Sequence, residues 1–258
     1  MFSLLVGLAA GLFGGLLGLG GGAIMIPLMV GVMKMSQHKA HGTSLVALVF
    51  TGLAGVAAYG RHGSIDITAS VILASTAIFT SRAGALFSNS LPEWKLKRAF
   101  GWFLLFISSL LILKPYLPHA HSAFTGWSQI LILLLTGTFT GFMSGMMGIG
   151  GGGIMVASMV LIVGFSQYTA QGCSLLAMIP IGASGAFTYW RSGNVSLEIL
   201  PGLIAGIIIG SFVGGLCAHL LPEHILRLVF TSALVFTGSK FLVAPRPSPE
   251  CSDKTIAL

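Results

Sequence analysis

The groups in this chain best suited to hold a ligand lie in two glycine-rich stretches 130 residues apart. Gly11–Gly22 reads GLFGGLLGLGGG, and Gly141–Gly152 reads GFMSGMMGIGGG with Gly153 directly after it. Consecutive glycines make poor continuous helix, since each costs roughly 1 kcal/mol relative to alanine, and they permit positive φ and close backbone approach. Leu19–Gly22 and Ile149–Gly153 are therefore read as breaks in apolar helices. Gly20, Gly21 and Gly22, and likewise Gly150, Gly151 and Gly152, would present backbone N–H groups beside the start of a short following helix. A helix N-terminus carries about half a positive charge and attracts anions. Gly11, Gly15 and Gly18 read instead as small residues that let helices pack closely.

A polar turn follows each break. It reads Ser36-Gln37-x-x-Ala40-x-Gly42-Thr43-Ser44 in the first copy and Ser166-Gln167-x-x-Ala170-x-Gly172-Cys173-Ser174 in the second. Thr43, Ser44 and Ser174 stand where helix N-caps would stand, with Cys173 in the place of Thr43. Hydroxyls and N–H groups without a fixed acid make a donor-rich pocket suited to a small oxyanion. The plainer reading is helix capping at a surface turn, with Gln37 and Gln167 either lining the pocket or closing the turn. Arg82 lies within an apolar span and has Phe212 as its counterpart. An arginine so placed either faces an interior cavity as an anion ligand or snorkels to the interface. Arg61 and Arg191, after Tyr59 and Tyr189, read as interfacial anchors, and Asp66 and Glu198 as capping or surface groups. His38, His41, His219 and His224 join no Cys/His/Asp/Glu set with ligand spacing, so neither a metal nor another cofactor is expected. Gly18-x-Gly20-Gly21-Gly22 has no lysine and no preceding strand, which excludes a nucleotide loop.

The elements that must position these groups are membrane helices. Charged residues are 7% of the 258 and apolar ones 55%, against about a quarter charged in a soluble domain, so the chain is read as an all-α polytopic membrane protein. The net charge of +7 comes mostly from short loops and is no nucleic-acid signature. Three cysteines without paired spacing indicate no disulfide framework. Gly11–Gly63 and Gly141–Gly193 share 22 identities in 53 ungapped positions, an internal duplication. Repeat 1 is placed at 1–114, an inter-repeat loop at 115–127, repeat 2 at 128–244 and a polar tail at 245–258. The expected apolar segments are Phe2–Leu17, Ala23–Met33, Thr43–Tyr59, Ile67–Leu91 and Ala99–Leu113, then Ser128–Met147, Ile154–Val163, Cys173–Trp190, Leu197–Leu220 and His224–Val243. Five segments per repeat would invert the second relative to the first. Lys34, Lys39, Lys95, Lys97, Arg98, Arg191, Arg246 and Lys254 then share one side, against Arg61, Lys114 and Arg227 on the other. That eight-to-three bias puts both termini in the cytoplasm by the positive-inside rule. Inverted repeats whose broken helices meet at mid-membrane are a common plan of secondary transporters.

Over about residues 1–243 the chain resembles the sulfite exporter TauE/SafE family of membrane transporters. The resemblance rests on the glycine runs, on Gly42-Thr43-Ser44-Leu45 with its copy Gly172-Cys173-Ser174-Leu175, and on the helix ends Tyr59…Gly63 and Tyr189…Gly193. It implies a multi-pass protein of the bacterial inner membrane that moves sulfite, organosulfonates or related sulfur-containing anions, often outward, and is not an enzyme. The expectation is alternating access, with a small anionic substrate, the lipid bilayer, a proton as candidate coupling ion and a homodimer as candidate assembly. Two alternatives stand beside it. One is a carrier or channel for another small anion such as a carboxylate. The other is an intramembrane serine protease, since Gly182-Ala183-Ser184-Gly185 resembles the rhomboid nucleophile motif and His219 could serve as its partner.

Overall fold

A computed structural model describes residues 2–87, 93–113 and 127–243. Of the expected segments, the inter-repeat loop (Trp127 apart) and the tail 245–258 lie outside the described residues. Ten α-helices are described: α1 Phe2–Leu17, α2 Gly22–Gly31, α3 Gln37–Gly60, α4 Ile67–Phe87, α5 Glu93–Leu113, α6 Trp127–Met147, α7 Gly152–Ser158, α8 Gln167–Arg191, α9 Leu200–Leu220 and α10 Glu223–Leu242, with a π-helical turn at Met159–Val163 after α7. Five of them, α3, α4, α6, α8 and α9, are each long and apolar enough to cross a membrane. The chain is an all-α, polytopic membrane protein, with each repeat carrying one glycine-broken pair of helices.

The breaks fall where the glycines demand them. Gly18, Gly20 and Gly21 have φ of 66°, 82° and 75°, and Gly148, Gly150 and Gly151 have 66°, 93° and 66°. That left-handed backbone costs a side-chain-bearing residue roughly 1–2 kcal/mol. Gly18 thus belongs to the break and not to a helix-packing stripe. After Leu17 the chain folds back on itself, so that Gly21 lies against the Ala10 carbonyl and Gly14 against the Gly21 nitrogen. Met25 and Met29 of α2 then bury beside Val6 and Ala10 of α1. The first broken pair is a hairpin and not one interrupted rod.

Helices exchange partners between the repeats. Gly7, Gly11 and Gly15 of α1 press on Leu203, Ile207 and Ser211 of α9, and Gly137, Gly141 and Gly145 of α6 on Leu73, Ala77 and Ser81 of α4. In both pairs residue numbers rise together, so the partners run parallel. The middle helices α3 and α8, equivalent by the duplication, run antiparallel: Leu45 meets Gly182 and Gly185, while Gly52 and Gly55 meet Leu175. Helix α5 packs on α10. The small-residue seams let backbones touch without side-chain intermediaries, the means by which membrane helices gain packing energy when lipid is as apolar as they are.

Two polar helix starts differ from expectation. Helix α3 begins at Gln37 and α8 at Gln167, six residues before the expected boundaries. Ser36 and Ser166 are the N-caps, accepting from the Lys39 N–H at 3.4 Å and the Thr169 N–H at 3.2 Å. Thr43, Ser44 and Ser174 are therefore interior helix residues and cap nothing. The hydroxyl-rich turn misled because the true cap lies seven or eight residues earlier in the same polar stretch.

A Cβ at Gly145 would overlap the Ser81 carbonyl, whereas one at Gly31 would meet nothing within 4 Å. Gly145→Ala is expected to lower stability by about 1–3 kcal/mol, the usual cost of overpacking, and Gly31→Ala to leave it unchanged. Thermal unfolding in detergent checks both.

Candidate functional site

The two glycine breaks meet at the centre of the molecule. A Cβ at Gly22 would sit 2.7 Å from the Gly148 carbonyl oxygen, and one at Gly152 would overlap the Gly18 carbonyl. Gly20 abuts Leu48 and Met178, the equivalent mid-points of α3 and α8, and Gly150 abuts Leu48. The contact is backbone on backbone, and only glycine fits it.

Each repeat's serine clasps the other repeat's break. Ser44 Oγ donates to the Gly148 carbonyl at 2.7 Å and shares that proton with the His41 carbonyl, also at 2.7 Å. Ser174 Oγ does the same to the Gly18 and Gln171 carbonyls, both at 2.9 Å. A serine has one donor proton, and both carbonyls here compete for it. Thr43 Oγ1 accepts from the Ser196 N–H at 3.0 Å, and its counterpart Cys173 Sγ accepts from the Asp66 N–H at 3.2 Å. These two tie each helix to the loop that follows the opposite middle helix. All four side chains are fully buried. The structure thus brings Gly20, Gly21, Gly22, Gly150, Gly151, Gly152, Ser44 and Ser174 together, with the serine donors engaged by protein carbonyls. Arg82 is exposed near the C-terminal end of α4, away from this junction.

A cavity of about 420 Å³ opens beside the first break. Its wall is mostly aliphatic, with Ile24, Ile26, Pro27, Leu28 and Val30 of α2 facing Met147, Ile149 and Phe236. Gly22 and Ala23, at the N-terminus of α2, form part of it. The first N–H groups of a helix have no intrahelical partner, and the N-cap Gly21 supplies no side chain to satisfy them. Gln37, His41, Thr237 and Lys240 complete the lining. Lys240 Nζ lies 4.8 Å from the centre of the Phe236 ring. The arrangement is a mostly apolar chamber whose wall carries a few polar groups, Lys240 and the α2 N-terminus among them, and no carboxylate among the described lining residues.

Of the residues expected from sequence, Gly22 and Gln37 line this cavity. Lys240 and Thr237 escaped sequence reasoning because they come from the last helix, some 200 residues along the chain from the break they face. The one available signal was a lysine within an apolar segment. Tyr59 has a role that the sequence did not show. It is fully buried, and its hydroxyl lies 3.1 Å from the Gly15 carbonyl and 2.8 Å from Gln171 Oε1. It braces the end of α1. Asp66 caps α4 through the Ala69 N–H at 3.0 Å, as expected.

The serine-protease alternative finds no paired residues. Ser184 Oγ donates to the Ile78 carbonyl at 2.8 Å, while His219 is engaged by the Gly215 carbonyl at 2.9 Å and Ser64 Oγ at 3.1 Å. No group of three or more His, Cys, Asp or Glu with metal-binding proximity occurs among the described residues.

Fold and cavity together define a polytopic membrane protein with a chamber beside its central junction. Residues 3–241 match the family described as "Sulfite exporter TauE/SafE", and the chain belongs to that family. Among its relatives are two proteins of Bacillus subtilis. The probable membrane transporter protein YdhB is 28% identical over 233 residues, covering 88% of this chain and 94% of YdhB. The probable membrane transporter protein YunE is 27% identical over 264 residues, covering 92% and 95%. A probable membrane transporter protein of Methanocaldococcus jannaschii is 24% identical over 254 residues, covering 91% and 92%. The family and these relatives are transporters and not enzymes.

Ser44→Ala leaves the buried Gly148 carbonyl without its donor. An orphaned buried acceptor costs about 1–3 kcal/mol, so a lower unfolding temperature in detergent is expected. Unchanged stability would mean that the clasp contributes nothing.

Proposed function

We propose that this protein moves small sulfur-containing anions, and organosulfonates in preference to sulfite, across the bacterial inner membrane by alternating access. The observation that carries the preference is the cavity beside the first break. A four-atom oxyanion needs far less than 420 Å³, given that one water takes about 30 Å³ of liquid volume. A predominantly apolar chamber with a few polar groups is the usual form of a site for an organic ligand. The anionic head would sit at the α2 N-terminus and toward Lys240, with His41, Gln37 and Thr237 as further polar neighbours. The carbon body would lie along Ile24, Ile26 and Leu28.

The repeats support an inverted arrangement. Helices α3 and α8 are equivalent by duplication, antiparallel by contact and each long enough to span. A two-fold axis relating antiparallel membrane helices is perpendicular to them and so lies in the membrane plane. Broken helices meeting on such an axis suit a site reached from either side in turn. The positive-inside bias favours cytoplasmic termini, and the cavity lies toward that side, since Gln37 opens α3 and Lys240 closes α10.

Thermal shift of the purified protein tests this, because a ligand that binds only the folded state raises its apparent stability. Butane-1-sulfonate is expected to stabilise more than sulfite at equal concentration, and Lys240→Gln to weaken sulfonate binding about tenfold, roughly 1.4 kcal/mol. Stabilisation by butanoate with none by the sulfonate would move the reading to a carboxylate carrier.

A further inference from the structure

The two halves of the molecule are equivalent in sequence but not in conformation. Gln37 is exposed and lines the cavity, whereas its counterpart Gln167 is 0% exposed. Ala23, Ile24 and Ile26 of α2 are partly exposed, whereas their counterparts Gly153, Ile154 and Val156 are buried. Leucines close the second half. The side-chain direction at Gly153 is filled by Leu234 at 2.8 Å, Leu19 at 3.3 Å and Leu104 at 3.8 Å.

Closure leaves polar groups stranded. Gln167 Oε1 and Nε2 are both buried without a hydrogen-bond partner, and so is Nε2 of Gln171, which stands where the first half has His41. Gln171 Oε1 accepts from the Tyr59 hydroxyl at 2.8 Å, which fixes the amide and leaves its N–H₂ donors unused. Buried amides are nearly always paired, and an unpaired one is costly. Two such side chains in one closed half, at the positions that line the open cavity in the other, are what a binding place looks like when it is shut.

We propose that Gln167 and Gln171 form a second anion station, occluded in this conformation, and that the structure is the state open on the side of the termini. When the Leu19, Leu104 and Leu234 plug parts, the two amides would donate to the anion's oxygens on the opposite side of the membrane, as Gln37 and His41 face the cavity here. The inference rests on the transport reading above and adds to it a second site and a gate.

The test is uptake of butane-1-sulfonate into proteoliposomes by wild type and Gln167→Leu. Leucine keeps the volume and removes the unpaired amide, so a merely structural glutamine would lose nothing by the exchange. The expected result is flux reduced at least tenfold with the unfolding temperature equal or higher. Flux within twofold of wild type would overturn the station. A second measurement stands apart from any folding defect: Gln167→Cys, with Cys173, Cys217 and Cys251 replaced by serine, treated with a membrane-impermeant thiol reagent. Labelling from the side opposite the termini that quickens during turnover is expected, and no labelling from that side overturns the proposal. A wild type that carries no sulfonate flux would contradict the transport reading itself, whereas flux that survives Gln167→Leu contradicts only the second station.

Discussion

Everything in this molecule depends on a contact that no side chain could survive: two glycine runs laid backbone against backbone at the centre of the bundle. Gly22 touches the Gly148 carbonyl and Gly152 the Gly18 carbonyl. Irregular backbone at membrane depth is tolerated only where it is buried in protein or lines a cavity, because lipid cannot satisfy its polar groups. Here both conditions operate. The carbonyls at the head of each run are satisfied by a serine of the other repeat, and the α2 end of the first run opens into the cavity. The duplicated sequence thus builds a junction that neither copy could build alone.

The same reciprocity extends outward. Thr43 and Cys173 hold the loops beyond the opposite middle helix, and the parallel pairs α1–α9 and α4–α6 each join helices of different repeats. Crossed connections of this kind tie the two repeats together at the centre. Outside it the two halves differ, α2 lying against an open chamber and α7 sealed under leucine. Glu223 contributes to the sealed half by accepting from the Gln167 N–H at 2.9 Å. A carboxylate at that position complements the positive end of α8.

How much of this the sequence disclosed follows from the range of each interaction. The duplication, the breaks and the membrane class were legible because they are local: three glycines in a row carry their own backbone consequence. The use of the hydroxyls was not. Ser44 looks like a cap or a ligand until its partner, 104 residues away, is known to be a carbonyl of the other run. Tyr59, which the sequence offered only as a neighbour of the anchor Arg61, gave no local sign of its own role. Only the fold reveals that the end of α1 lies over it. The cavity was hidden for the same reason, since its basic residue comes from α10 and its floor from α2. Arg82 drew attention as an arginine in a span, yet it lies near the end of α4, where a long side chain can reach the interface.

The most direct measurement is ligand protection of a single cysteine at the start of α2. Ala23→Cys, in a background with Cys173, Cys217 and Cys251 replaced by serine, places a thiol in the cavity wall beside the first break. With the anion site there, an impermeant thiol reagent applied from the side of the termini reacts, and butane-1-sulfonate slows the reaction in proportion to its occupancy. A labelling rate indifferent to saturating sulfonate would contradict the account, since it would put the anion somewhere other than the junction of the two glycine runs.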